Sequence, residues 1–230
     1  MSADVLGIFA KRPVAGLVKT RLAAETSSEW AAKVAEAFLS DTLDRFATVT
    51  VRRVVAFSPA NSQSFFAEFA AGRYDLMPQG EGHLGERMKR FVEWHLSQNA
   101  NRVVLVGTDS PSLPIEYVED AFRALDSSDV VVGPATDGGY YLIGCRRRVP
   151  PIFANVDWSG PRVLSQTIAR LADWDGSLFL LPPWYDVDTF ADYCMLRGHL
   201  QAMARAGLAI KLPHTEKIPS PPLKTQDFPE

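Results

Sequence analysis

Five short polar strings in this chain carry residues that can handle a phosphorylated ligand. The run Lys11-Arg12-Pro13-Val14-Ala15-Gly16-Leu17-Val18-Lys19-Thr20-Arg21 sets four cations around a flexible Gly16. Such a loop can wrap a phosphate chain with side chains and backbone N–H groups. It is neither GxxxxGK[ST] nor GxGxxG, which sets aside a P-loop and a dinucleotide-binding dehydrogenase. In Pro78-Gln79-Gly80-Glu81-Gly82-His83-Leu84-Gly85, three glycines within six residues allow close backbone approach. Gln79 offers both a donor and an acceptor to the edge of a flat nucleobase. Gly107-Thr108-Asp109-Ser110-Pro111 puts Asp109 directly after an apolar run, where it suits a hard divalent cation, and Asp186-Val187-Asp188-Thr189 supplies a second carboxylate. Mg²⁺ uses one or two carboxylates, completed by waters and phosphate oxygens. Asp137-Gly138-Gly139-Tyr140-Tyr141 places a carboxylate beside two glycines and aromatic rings, a setting for sugar hydroxyls or an acceptor. Each string also has a plainer reading: a solvated basic loop, a glycine-rich turn, helix caps at Asp109, Ser110 or Asp188, and a tight turn at Asp137.

The elements that must position these strings alternate between β-rich runs and helical periods. Strands are expected at 5–10, 51–57, 74–77, 102–106, 130–133, 140–144 and 178–181. Helices are expected from Thr26, where Thr-Ser-Ser-Glu reads as a capping box with Glu29, then around 65–69 and over 84–96, 115–125, 162–172 and 191–206. Strands alternating with helices of this length mean βαβ units and a mainly parallel sheet covered on both faces. The basic, Gln-Gly, Asp109 and Asp-Val-Asp strings follow strands, and in open parallel sheets the ligand crevice lies beyond the strands' carboxyl ends. Convergence on one rim is the expectation. From Pro213 five prolines stand among polar residues, which reads as an extended tail over 213–230 after a domain of 1–212.

Composition narrows the function classes. The chain has 230 residues, 24 Lys+Arg against 27 Asp+Glu, and a net charge of −3. A polyanion-binding surface is therefore not expected, and no nucleic acid or membrane is expected as partner. The charge is uneven: residues 5–24 hold Lys11, Arg12, Lys19, Arg21 and no acid. Two cysteines give neither a disulfide framework nor a CxxC knuckle, and the N-terminal apolar run is too short for a signal peptide, so a cytoplasmic setting is expected. The four histidines lack metal spacing, and Ser110 is not in GxSxG, which argues against a hydrolase.

Taken together, Phe-Ala-Lys-x-Pro-x-x-Gly-x-Val-Lys-Thr-Arg-Leu, Gln-Gly-x-Gly-x-Leu-Gly-Glu-Arg-Met, Gly-Thr-Asp-Ser-Pro-x-Leu, Asp-Gly-Gly-Tyr-Tyr-Leu-Ile-Gly, Trp-Ser and Tyr-Asp-Val-Asp-Thr resemble the radical-SAM/selenodomain-associated transferase 1 group. That group is also known as domain of unknown function 2064, with some members named arsenosugar-biosynthesis glycosyltransferases. The resemblance runs from about residue 4 to 207 with order and spacing kept. It implies a single-domain α/β fold of the nucleotide-diphospho-sugar transferase (GT-A, Rossmann-like) type, a three-layer sandwich with a mainly parallel central sheet. At longer range it is similar to molybdenum-cofactor and phospholactate guanylyltransferases.

By that similarity Lys11, Lys19 and Arg21 contact phosphates, Gln79 and Gly80 the base, and Asp109 the metal, with Asp188 as second metal ligand. The full nucleotide set adds Ala10, Gly16, Gly82 and Thr108. Asp137, Gly138, Gly139, Tyr140, Trp158 and Ser159 are expected on the substrate, with Lys19, Arg21 and Asp137 catalytic. Mg²⁺ or Mn²⁺ is the expected cofactor. One departure stands out: the Asp-x-Asp of glycosyltransferases is absent at the fourth strand end, where Thr108-Asp109-Ser110 stands. Two reactions follow: glycosyl transfer from a nucleotide-sugar to a small acceptor, or nucleotidyl transfer from an NTP to a phosphorylated acceptor with release of pyrophosphate. A non-catalytic nucleotide sensor is the third reading, and a homodimer is compatible with all three.

Overall fold

The computed structural model describes residues 4–158 and 160–222. Seven strands form one sheet: β1 (Asp4–Lys11), β2 (Arg52–Ser58), β3 (Asp75–Pro78), β4 (Arg102–Val106), β5 (Val130–Pro134), β6 (Tyr140–Arg146) and β7 (Leu178–Leu180). Their order is β3-β2-β1-β4-β6-β5-β7. Every pairing is parallel except those of β6, which runs antiparallel to β4 and β5. The mainly parallel sheet expected from the sequence is thus present with one reversed strand. The reversal follows from the short Asp137-Gly138-Gly139 connection, too short for the crossover that a parallel partner requires.

Alternation along the central strands supplies two cores. Leu6, Ile8 and Ala10 of β1 with Val104 and Val106 of β4 face one side; Val5 of β1 with Val103 and Leu105 of β4 face the other. Helices α2 (Ser28–Phe46), α3 (Gln63–Ala70) and α5 (Ile115–Ala124) cover the first side. The second is covered by α4 (Leu84–Ser97) and α6 (Val163–Ala169), with the helical turn Pro151–Phe153. A third cluster joins α1 (Thr20–Glu25), α2 and α7 (Phe190–Arg205) through Leu22, Trp30, Phe38, Tyr193 and Leu196. The three-layer α/β sandwich is as expected.

Two local readings are corrected. The cap of α2 is Ser27, whose hydroxyl accepts from Trp30 N at 3.1 Å, while Thr26 donates its hydroxyl back to Leu22 O at 2.7 Å. The one-residue shift arises because α1 precedes α2 directly and claims Thr26 as its own C-terminal residue. The segment read as an extended tail begins with α8 (Pro213–Glu216), docked on α2. Fully buried Asp41 accepts from His214 N at 3.0 Å, Thr215 N at 2.8 Å and Thr215 Oγ1 at 2.6 Å, and Trp30 Nε1 donates to Pro219 O at 2.8 Å. Residues 223–230 lie outside the described residues. No helix of the described chain is long and apolar enough to cross a membrane.

Candidate active site

The sheet brings the polar strings to one rim. Lys11 ends β1 and Arg12 follows it, Gln79 follows β3, Gly107–Ser110 follow β4 and Asp137–Gly139 join β5 to β6. Because β6 is reversed, Tyr140 at its start reaches the same rim as the carboxyl ends of its neighbours. A cleft of about 810 Å³ opens there, lined by Arg21, Asp109, Ser110, Asp137, Gly139, Tyr140, Trp158, Asp186 and Asp188 among others.

Its electrostatic centre is Lys19. The side chain is 3% exposed, and Nζ stands 2.6 Å from Asp109 Oδ1 and 3.5 Å from Asp188 Oδ1 while donating to Val187 O at 2.6 Å. Burial alone would lower the ammonium's pKa, but Asp109 and Asp188 together hold it above its ordinary value. Lys19 itself has φ 43°, ψ 48°, a left-handed backbone uncommon outside glycine, so the chain turns sharply to deliver it. Val187 N donates to Asp109 O at 2.9 Å, tying the loop after β4 to the segment before α7.

The plainer readings of these aspartates fall away. Helix α5 is entered through Pro114 with no side-chain cap, so neither Asp109 nor Ser110 caps it. Helix α7 is capped by Thr189, with Asp192 completing the box, so Asp188 is not its cap. Asp188 is pushed up by burial and by Asp109 and pulled back by Lys19 and Arg21, with a net rise. The sequence marks Asp186 only as part of its string. It accepts from Ser110 Oγ and is pushed up to about 7, chiefly by burial and by Asp109. The signal was present in the Asp-Val-Asp alternation, but which of the pair lies deeper depends on Ser110, distant in sequence.

Other expected residues are placed differently. Gln79 is buried; its Nε2 donates to Ala56 O at 2.8 Å and Ala10 O at 3.3 Å, and its Oε1 accepts from Arg87 Nη1 at 3.2 Å. Its amide braces β1, β2 and α4 and does not line the cleft. Ala10 is buried beneath it, and Gly80 and Gly82 take positive φ where the loop passes Arg90 and Glu86. Lys11 is exposed and donates to Leu17 O at 2.6 Å, closing a loop in which Gly16 has φ +79° and open space around it. Thr108 lies beside Asp109 but does not line the cleft. Arg21 is the one lysine or arginine among the cleft-lining residues.

Asp137 lines the cleft, and its Oδ1 accepts from Gly139 N at 2.9 Å, so the turn role and a cleft-facing role coexist. Gly138 has φ +92°, and a Cβ there would stand 2.0 Å from Pro161 O, so no other residue fits the turn. Trp158 packs on the backbone of Gly85, edge-on to Tyr140 at 6.3 Å. Ser159 lies outside the described residues. His83, one of the four histidines without metal spacing, accepts from Glu86 N through Nδ1 as the cap of α4.

Among the described residues no three His, Cys, Asp or Glu side chains converge closely enough to hold a metal ion by themselves. Two do share a cation: Asp109 and Asp188 meet on Lys19 Nζ, with Asp186 alongside. That donor set is hard oxygen with excess negative charge. It fits a divalent ion that takes its remaining ligands from phosphate and water.

Comparison with known proteins places this geometry. The family model described as "Uncharacterized protein conserved in bacteria (DUF2064)" matches residues 42–160. The chain belongs to the DUF2064 family. A solved, proposed nucleotide-diphospho-sugar transferase from Desulfovibrio desulfuricans G20 is 30% identical, with a TM-score of 0.79 over 92% of this chain and 100% of that one. The 4-diphosphocytidyl-2C-methyl-D-erythritol synthase of Anaerococcus prevotii DSM 20548 shares the fold at 11% identity, TM-score 0.59, over 86% of this chain and 97% of its own. So does a Mycobacterium tuberculosis H37Rv protein solved in complex with manganese, at 15% identity and TM-score 0.50, over 84% and 97%. No curated protein sequence matches the chain.

Proposed function

We propose that this chain is a transferase that moves a sugar from a nucleotide-sugar to a hydroxyl of a small acceptor, with Mg²⁺ or Mn²⁺. The observation that carries the reading is the aspartate cluster drawn from two distant loops, Asp109 with Asp186 and Asp188, facing Arg21 and an aromatic wall across one cleft. The similarity to a proposed nucleotide-diphospho-sugar transferase supports it, as does a manganese complex of the same fold. The finer grouping as a radical-SAM/selenodomain-associated transferase belongs to the same proposal.

Asp109 and Asp188 would hold the ion, which when bound supplies positive charge to a departing diphosphate. Lys19 acts as a positioning residue: it holds both carboxylates at fixed separation rather than touching the donor. Arg21 meets phosphate oxygens, and the loop carrying Lys11 and Gly16 lies beside them. The acceptor oxygen bonds to the anomeric carbon, and the bond from that carbon to the diphosphate oxygen breaks. The electron pair leaves on the nucleoside diphosphate. Asp137 takes the hydroxyl proton and passes it to water; general-base help of this kind is worth roughly 10²–10⁴-fold.

A second reading, nucleotidyl transfer, is favoured by one observation: a single aspartate at the end of β4, between Thr108 and Ser110. Product analysis separates them. Incubation with a panel of nucleotide-sugars and Mn²⁺ is expected to release free nucleoside diphosphate. Pyrophosphate from nucleoside triphosphates, with no diphosphate from any nucleotide-sugar, would replace the proposal with the second reading. Nucleotide binding with neither product would leave the sensor.

A further inference from the structure

The cleft is two-sided in a way that selects its acceptor. Its rim carries four carboxyl groups, Asp109, Asp137, Asp186 and Asp188, against one lining cation, Arg21. The rest of its lining is largely apolar and draws on one core cluster: Phe9, Met88, Leu105 and Ile143 with the rings of Tyr140 and Trp158. Trp158 is fixed there by Gly85, where a Cβ would come within 2.4 Å of the indole, and stacks with His83 at 6.5 Å. Its Nε1–H is enclosed and has no hydrogen-bond partner among the described residues. Nε1 lies on the Gly85 side, where a Cβ would come within 2.5 Å of it, so the indole meets the cleft through its ring.

Charge decides what lies against this wall. A diphosphate donor carries about two negative charges, which one divalent ion offsets. Even with Asp186 protonated, Asp109, Asp137 and Asp188 outnumber Lys19 and Arg21 beside them, so the site stays negative before any acceptor enters. An anionic acceptor would meet uncompensated carboxylates, whereas an uncharged or cationic one would not. Aromatic faces attract flat rings and cations alike.

We propose that the acceptor is a non-anionic alcohol with a flat apolar face, seated on Trp158 and Tyr140 with its hydroxyl at Asp137. This rests on the sugar-transfer reading of the same cleft, and it tells against a phosphorylated acceptor.

Three matched probes test it: benzyl alcohol, 4-(aminomethyl)benzyl alcohol and 4-(hydroxymethyl)benzoate. Binding to the full chain is read by saturation-transfer NMR and calorimetry, with and without Mn²⁺ and a nucleoside diphosphate. The neutral and cationic probes are expected to bind at least ~10-fold more tightly than the carboxylate. Trp158→Ala should weaken both by about 5-fold or more, and Trp158→Phe, which keeps a ring, should restore most of it. Melting curves of both variants show that they are folded. Equal or tighter binding of the carboxylate, or indifference to Trp158→Ala in a folded variant, overturns the proposal. Failure of the nucleoside diphosphate to bind with Mn²⁺ would instead defeat the sugar-transfer reading, and the charge preference is still read from the runs without nucleotide.

Discussion

Replacing Lys19 by Met removes the ammonium that two carboxylates share while keeping most of the side chain's volume. At an effective dielectric of about 20, unit charges at 2.6 and 3.5 Å attract by roughly 6 and 5 kcal/mol. Those gross values shrink in three ways. Asp109 is 51% and Asp188 37% exposed, so water screens both pairs, and burial of Lys19 opposes its own charge. A net loss of about 2–3 kcal/mol remains, between the values for exposed and buried pairs broken on one side. For a chain of this size that lowers Tm by roughly 4–12 °C. The loss comes from ionised carboxylates left facing one another, so it should be full at about pH 8 and small at about pH 4. Mn²⁺ should bind the variant more tightly than the wild type and recover most of the lost Tm. Differential scanning fluorimetry at both pH values, with and without Mn²⁺, measures all of this. A Tm drop of the same size at both pH values, with no recovery by Mn²⁺, would show that Lys19 does not stabilise the fold through the two carboxylates. It would leave Lys19 as a packing residue against the Phe38 ring, which its Nζ approaches at 5.2 Å.

Three further outcomes follow from single groups. Asp186, pushed up from 3.8 to about 7, keeps its proton in the fold after the unfolded chain has lost it. Stability should therefore fall as pH rises between those values, by up to roughly 4 kcal/mol, and Asp186→Asn should flatten that slope in urea titrations. His95, pushed down to about 4 by burial and Arg52, stays neutral in the fold, with neither ring nitrogen hydrogen-bonded among the described residues. Stability should drop as pH falls from about 6.5 to 4, by roughly 3 kcal/mol, and His95→Leu should remove that acid loss. Asp41→Ala strips three hydrogen bonds from α8, costs about 1–3 kcal/mol, and should open residues 208–222 to limited proteolysis followed by mass spectrometry.

The framework was legible in the sequence where burial on both faces writes an uninterrupted apolar run. Arg102-Val-Val-Leu-Val106 is β4 to the residue, and the 84–96 stripe is α4 less one residue. Short elements left no such trace: α1 has six residues and starts from a left-handed lysine, and α8 has four. The site was legible in its residue types and its rim but not in its division of labour. Lys11, Lys19 and Arg21 look alike in a string. Only the segment before α7 decides that Lys19 is buried between two aspartates while Lys11 stays in solvent. Gln79 looks like a base reader until β1 and β2 put two backbone carbonyls against its amide. The apolar half of the cleft was hidden because Phe9, Leu105 and Ile143 read as ordinary strand positions.

In the proposed function Asp109 and its neighbours form a metal-dependent nucleotide site. Calorimetric titration of a nucleoside diphosphate, with and without Mn²⁺, into wild type and Asp109→Asn tests it most directly. Wild-type binding should weaken at least ~10-fold without Mn²⁺, a loss of about 1.4 kcal/mol or more. Asp109→Asn should lose that dependence, with Tm within about 4 °C of wild type. Nucleotide binding that ignores Mn²⁺ in both proteins, or a collapse of Tm with binding unchanged, would contradict it and leave Asp109 a structural partner of Lys19.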